Sequence, residues 1–324
     1  MPIREESRLG AIRYFLGPDL ICLGVFGVLL VLLMFIYRLG PSDLSFVHES
    51  IVMPLVVLLV LVGVALISGV AKRRVHPIVP RDLAGSALAI VRDWFPLVMI
   101  VFVYENVHDL TIYIRPDVVD GSLRRIDEIL FFTEPSLALQ RITRPWLTEL
   151  MSAAYGLYFL YPTLVLTMLY RRGAFVDFRE VGLALSLAFY LGLVGFMFVP
   201  AVGPRYAMAQ EFTVPLDGYF LTAPAAEGWR ALETIQRDCF PSLHTALTTI
   251  TLIYLWRHRS LPHGRLLLSL CTPAIGLLWA STLYLRYHYG VDVLAGWILG
   301  VVCAYVAPRF VRRYYAGHSV PVRS

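Results

Sequence analysis

The chain has 324 residues, of which 58% are hydrophobic and only 16% are charged, and its mean hydropathy is +0.67. A soluble domain needs more charge than this to cover its surface, so the composition favours a polytopic membrane protein. The net charge of +5 does not indicate a nucleic-acid-binding protein, because the arginines lie between apolar runs, as they do at the ends of membrane spans.

Eight apolar runs predict eight membrane-spanning helices. The runs cover about residues 19–37, 51–70, 95–114, 147–170, 181–199, 242–256, 266–285 and 290–308. The run at 242–256 is short for a span, which is explained if it begins below the membrane surface in a water-filled pocket. The sequence therefore predicts an all-α polytopic membrane helix bundle.

The basic residues predict the orientation of these helices. With the N-terminus inside, 18 of the 28 lysine and arginine residues fall in cytoplasmic segments and 10 fall in outer segments. We therefore expect an integral membrane protein, placed in the plasma membrane, with both termini cytoplasmic.

Two outer segments are long. Residues 115–146 alternate apolar and charged residues at helical spacing and predict a helix that lies in the membrane interface. Residues 200–240 contain several glycines and prolines and predict an irregular cap over the outer face.

Three polar motifs fall at the outer ends of predicted spans: VPAVGPRY, PSLH and RYHYGVD. In the last of these, His288 and Asp292 are four residues apart and are expected to share one face of a helix. A carboxylate within reach of one ring nitrogen fixes the histidine tautomer and leaves the other nitrogen able to attack an electrophile. The pair therefore indicates a histidine nucleophile.

His244 is predicted in the first turn of the sixth span, after Ser242, which can cap the helix. A helix N-terminus attracts phosphate, and a histidine there can donate a proton to a leaving oxygen. Arg205 and Arg286 can add contacts to phosphate oxygens. Together these residues predict a phosphoryl-transfer site on the outer face that uses no metal and no cofactor.

Other polar residues have weaker claims to the site. Glu105 and Asp109 in the third span, with Tyr206, are candidates for a substrate pocket, but the two acids are equally well explained as a polar lock between helices. Cys239 lies beside the PSLH motif and is expected to be chemically inert.

At the PSLH motif and the stretch STLYLRYHYGVD, the chain resembles the type 2 phosphatidic acid phosphatase superfamily. Within it, the chain is most similar to the inositolphosphotransferase branch, which includes inositol phosphorylceramide synthase. The resemblance covers about residues 95–308 and implies a six-helix catalytic core. It also implies that His288 is the nucleophile, His244 the general acid and base, Asp292 the partner of His288, and Arg286 a phosphate ligand.

The chain departs from the pattern of this superfamily at three places. Leu243 stands where most members have glycine, and Thr282 stands where the third motif has arginine, a role that Arg286 can take. The first motif is not recognisable. Arg205 in GPRY is the candidate for its role, with proline and arginine in reversed order.

The predicted organisation is a two-helix membrane segment with a cytoplasmic loop at 1–94, a catalytic core at 95–308 and a cytoplasmic tail at 309–324.

We expect a phosphotransferase that acts on a membrane lipid with a phosphate or phosphodiester headgroup, with a polyol or lipid alcohol as acceptor. A lipid phosphate or polyprenyl (di)phosphate phosphatase that uses water is the alternative. A non-catalytic transporter or scaffold, and a vanadium-dependent haloperoxidase with similar motifs, are less consistent with the histidines and the many spans. No nucleic-acid partner is expected, and the sequence leaves the oligomeric state open.

Overall fold

A computed structural model describes residues 12, 14–39, 87–107, 110–232 and 236–316. These residues form 13 α-helices and one short 3-10 helix. The α-helices are α1 (Pro18–Tyr37), α2 (Ala87–Val107), α3 (Leu110–Ile114), α4 (Asp120–Phe131), α5 (Pro135–Leu139), α6 (Pro145–Gly156), α7 (Leu160–Arg171), α8 (Phe175–Phe198), α9 (Pro204–Ala207), α10 (Thr222–Leu232), α11 (Leu243–Arg257), α12 (Gly264–Tyr284) and α13 (Gly290–Tyr315). Within the described ranges there is no β-strand, so the predicted all-α class is confirmed.

Four of the described helices, α1, α8, α12 and α13, are long and apolar enough to cross a membrane. Helices α6 and α7 form a fifth candidate if the pair, bent by 40°, counts as one span. Helix α11 has 15 residues, which is short for a span, as its sequence predicts. The predicted span at 51–70 lies outside the described residues. The polytopic membrane architecture is confirmed, and the number of eight spans stays a prediction.

The chain divides into two compact units. The first comprises Met1–Asn106, Leu164–Tyr190 and Val302–Ser324. A closed cluster of buried charges holds its helices together: Arg92 donates two hydrogen bonds to Asp19 at 2.9 Å, and Arg179 pairs with both Asp19 and Asp93. A buried ion needs such partners, and two arginines here balance two aspartates. The predicted domain boundaries at 94 and 308 stay a prediction.

The second unit comprises Val107–Thr163 and Leu191–Val301, and it contains all three polar motifs. In it, α12 packs against both α6 and α11.

The predicted interfacial helix at 115–146 is not one helix but two short ones, α4 and α5, because Phe132 adopts a left-handed backbone conformation that ends α4. Ile129 and Phe132 are 69% and 94% exposed. The placement of this segment in the membrane interface stays a prediction.

Candidate active site

The RYHYGVD motif forms a loop that leads into α13. The sequence places His288 and Asp292 on one helical face, but α13 begins only at Gly290, so the helical placement of His288 is wrong. The loop leaves helical geometry at Arg286, which has a φ of 69°. Asp292 lies in the first turn of α13, where its Oδ2 accepts a hydrogen bond from the backbone N–H of Tyr289 at 2.8 Å. This bond folds the loop back and brings Asp292 beside His288.

The contacts of the His288 ring identify its tautomer. Its Nδ1 lies 2.9 Å from the backbone carbonyl oxygen of Cys239 and 3.6 Å from Oδ2 of Asp292. A carbonyl oxygen only accepts hydrogen bonds, so Nδ1 carries the proton in the neutral ring. The lone pair is then on Nε2, which is the nitrogen that a nucleophile needs to present.

His244 faces that nitrogen from helix α11. It is the second residue of α11, and Ser242 is the N-cap of this helix, with its Oγ accepting from the backbone N–H of Thr245 at 3.4 Å. Nδ1 of His244 lies 3.5 Å from Nε2 of His288. The structure therefore brings together two imidazoles that are 44 residues apart in the chain.

Three tyrosines pack around the histidine pair. The Tyr155 ring stacks on His244 with a centroid distance of 4.4 Å, and the Tyr158 ring contacts the same imidazole at 4.3 Å. Tyr155 also stacks on Tyr287 at 4.8 Å. These rings restrict the orientation of His244 and make one wall of the site.

Cys239 lies within the site, and its expected chemical inertness stays a prediction. Its Sγ lies 2.8 Å from Oδ2 of Asp292 and 3.7 Å from Nδ1 of His288. Burial and the Asp292 carboxylate raise the pKa of the Cys239 thiol well above its usual value, so the thiol keeps its proton and donates a hydrogen bond to Asp292. The only sequence signal was the position of this cysteine just before the PSLH motif.

Arg205 and Arg286 lie close to each other at the same end of the second unit. The backbone N–H of Arg205 donates to the carbonyl oxygen of Arg286 at 2.7 Å, and burial together with the Arg205 charge lowers the pKa of Arg286. Arg286 is 7% exposed and its side chain donates to the carbonyl oxygen of Val214, but its Nε has no hydrogen-bond partner among the described residues. Within the described part of the chain neither arginine forms an ion pair. Two arginines that are adjacent through their backbones and have no ion-pair partner among these residues suit an anion such as phosphate.

A cavity of about 250 Å³ adjoins the histidine site. Tyr155 and Tyr287 belong to its lining, and Arg205, whose guanidinium lies 4.9 Å above the Tyr287 ring, reaches into it. The lining also includes the hydroxyl groups of Ser152 and Thr222. Most of the lining is apolar or aromatic, and Arg205 is its cationic residue among the described ones.

The remaining predicted site residues have less definite positions. Ser242 is fully buried and serves as a helix cap, so a phosphate contact by its side chain stays a prediction. Tyr206 is half-buried and does not belong to the lining of the cavity. Asp109 and the side chain of Glu105 lie outside the described residues, and their role in a substrate pocket stays a prediction.

The same cluster contains possible metal ligands. Ligand atoms of Cys239, His288 and Asp292 all lie within 4.8 Å of one another, and all three residues are buried. A metal ion would have to displace the thiol proton that is shared with Asp292, because a metal binds the thiolate. The prediction of a site without metal stays a prediction.

A family model described as the PAP2 superfamily matches residues 122–306, which is more than half of the chain. The chain belongs to the PAP2 superfamily. The matched range contains both histidines of the site and Asp292. Comparison with curated proteins and with solved structures gives no match. Membership in the PAP2 superfamily supports a phosphatase-type enzyme that acts on phosphoesters, and it does not distinguish water from an alcohol as the acceptor.

Proposed function

We propose that the protein is an integral-membrane enzyme that cleaves a lipid phosphoester through a phosphohistidine intermediate on His288. The observation that carries this proposal is the hydrogen bond from Nδ1 of His288 to the Cys239 carbonyl oxygen, which supports an unprotonated Nε2 directed at His244. Membership in the PAP2 superfamily is consistent with this chemistry. The distribution of arginines supports a site on the extracytoplasmic face, and we place the enzyme in the plasma membrane.

The reaction has two steps in this proposal. Nε2 of His288 attacks phosphorus, the bond to the leaving oxygen breaks, and His244 donates a proton to that oxygen. His244 then removes a proton from the acceptor hydroxyl, whose oxygen attacks the phosphohistidine and releases His288. Asp292, 3.6 Å from Nδ1, stabilises the positive charge that develops on the His288 ring.

The two arginines supply the electrostatic part of the mechanism. Arg286 and Arg205 neutralise the phosphate oxygens as the phosphoryl group moves between oxygen and nitrogen. Their position without carboxylate partners in the described chain supports this role. Such positioning and charge stabilisation provide most of the rate enhancement in phosphoryl transfer.

We favour an alcohol as the acceptor, so the enzyme would be a phosphotransferase of the inositolphosphotransferase type. The cavity lined by Tyr155, Tyr287 and Arg205 supports this choice, because a second substrate needs space next to the phosphohistidine. The resemblance to the inositolphosphotransferase branch points the same way. A phosphatase acting on a lipid phosphate or a polyprenyl (di)phosphate is the alternative, since the same base would activate water.

The nucleophile is tested by replacing His288 with asparagine and measuring turnover of a labelled lipid phosphate by the purified full-length protein. We expect turnover and acid-labile phosphoprotein both to disappear. The matched control is His263→Asn. His263 is exposed, and asparagine readily adopts the positive φ of this position. Turnover that survives in His288→Asn at the level of the control would refute the mechanism.

The acceptor is tested with the same labelled donor in the presence and absence of inositol, and of diacylglycerol-type acceptors. Transfer of label to one of these alcohols supports the phosphotransferase. Release of free phosphate alone, at a rate unaffected by every alcohol, would refute it and favour the phosphatase.

A further inference from the structure

Helix α4 directs two carboxylates into the interior of the second unit. Asp120 and Asp127 are seven residues apart, which places them on the same face of the helix two turns from each other. Asp120 is 6% exposed and Asp127 is fully buried. A buried carboxylate is costly unless it is hydrogen-bonded, so the partners of these two side chains explain why the helix carries them.

Asp120 binds the loop that precedes Arg205. Its Oδ2 accepts from the backbone N–H of Val202 at 3.0 Å, and its Oδ1 accepts from the N–H of Gly203 at 2.9 Å. Oδ1 also accepts from the Tyr289 hydroxyl at 3.0 Å. Gly203 is the N-cap of the short helix α9, which carries Arg205. Asp120 thus joins the arginine loop to the residue that follows His288.

Asp127 binds the start of the helix that carries Asp292. Its two oxygens accept from the backbone N–H groups of Gly290 at 2.6 Å and Val291 at 2.7 Å. These N–H groups belong to the first turn of α13 and have no partner within the helix. A carboxylate at this end is also favoured by the helix dipole. Asp127 therefore determines where α13 begins relative to His288.

We propose that Asp120 and Asp127 are positioning residues that hold two loops in register from one helix. The arginine loop carries Arg205, and the nucleophile loop carries Tyr287 and His288. Asp120 acts through Arg205, and Asp127 acts through His288 and Asp292. This inference depends on the proposed function, because it assigns those loops to phosphate binding and to nucleophilic attack. It adds α4, a helix outside the three motifs, to the catalytic apparatus.

The two residues are expected to affect different kinetic parameters. In Asp127→Asn, one of two N–H groups at the start of α13 faces an amide NH2 in place of an acceptor, so the nucleophile loop shifts. Loss of one hydrogen bond to a charged acceptor predicts a fall in kcat of about tenfold with little change in KM. In Asp120→Asn the arginine loop is released, so KM for the lipid phosphate should rise about tenfold with a smaller change in kcat.

The experiment measures kcat and KM of both variants in the full-length protein in lipid nanodiscs, with thermal unfolding recorded in parallel. The matched control is Glu128→Gln on the same helix, because Glu128 is about half exposed and pairs only with Arg124 among the described residues. Tyr289→Phe is a milder variant that removes one hydrogen bond to Asp120 without changing a charge. Tyr289→Phe should keep the fold and raise KM by about threefold. It therefore tests the role of Asp120 even if Asp120→Asn does not fold.

The results separate this inference from the proposed function. If His288→Asn abolishes turnover and Asp127→Asn and Tyr289→Phe show the expected kinetic changes, both proposals are supported. If His288→Asn abolishes turnover but Tyr289→Phe and both aspartate variants match Glu128→Gln per folded molecule, the positioning role is refuted. Variants that lower the unfolding temperature with kcat and KM unchanged would also refute it. If His288→Asn retains turnover, the proposed function itself fails.

Discussion

The thiol of Cys239 should contribute to catalysis through the carboxylate that it contacts. Asp292 is fully buried, and its Oδ2 accepts one hydrogen bond from the Cys239 thiol and one from the Tyr289 N–H. Its Oδ1 has no hydrogen-bond partner among the described residues. A buried carboxylate with so few donors is sensitive to the loss of one of them, and Cys239→Ala removes one.

The size of the effect follows from the chemistry of the donor. A hydrogen bond to a charged group contributes about 1.5–3 kcal/mol, and a thiol is a weak donor, so the lower end applies. A loss of about 1.4 kcal/mol in the transition state corresponds to a tenfold decrease in rate. We therefore expect Cys239→Ala to lower kcat by about tenfold. Cys239→Ser keeps a donor at the same position and should stay within about threefold of the wild type.

The assay is turnover of a labelled lipid phosphate per folded molecule. Cys271→Ala is the matched control, since Cys271 is also a buried free cysteine of the second unit but lies within α12, away from the histidine pair in the sequence. If Cys239→Ser loses as much activity as Cys239→Ala, the sulfur acts by packing and not by donating a hydrogen bond. If neither variant differs from Cys271→Ala, the thiol has no part in catalysis.

Further predictions concern both units. Asp93→Asn leaves Arg179 with one charged partner fewer in a buried cluster and should lower the free energy of unfolding by about 3 kcal/mol, measured by denaturation in detergent. Gly203→Ala should lose most activity, since φ at this position is +81° and a Cβ would contact the backbone of the nucleophile loop. Tyr155→Leu removes the ring that stacks on His244 and should lower kcat about fivefold, whereas Tyr155→Phe should not. Burial raises the pKa of Asp127 from 3.8 to about 6, so its contribution to stability should fall as the pH rises from about 4 to about 6, seen as a change in unfolding temperature.

Each of these predictions has an outcome that contradicts it. Wild-type stability in Asp93→Asn would show that Asp19 alone is a sufficient partner for Arg179. Full activity in Gly203→Ala would mean that the loop adapts to a side chain. Equal losses in both Tyr155 variants would assign the effect to the hydroxyl. For Asp127, a difference in unfolding temperature between the wild type and Asp127→Asn that rises or stays constant between pH 4 and pH 6 would contradict the expected sign.

The sequence by itself determined the membrane class, the all-α fold and the motifs of the site. Long apolar runs and helix starts are local properties, so α1, α8, α12 and α13 were expected close to where they lie. The proximity of His244 and His288 was also expected, because both motifs open spans at the same membrane face. The tertiary structure corrected the helical placement of His288, since the start of α13 depends on a carboxylate that is distant in the sequence.

Contacts between distant parts of the chain were decided by the tertiary structure alone. Asp127 and Gly290 are 163 residues apart, and Cys239 and Asp292 are 53 apart, so no local pattern reports their hydrogen bonds. The backbone carbonyl that orients His288 has no signature in the sequence at all, because every residue carries one. The spacing of residues identified which groups react, and the packing of α4 and the Cys239 loop decided how they are held.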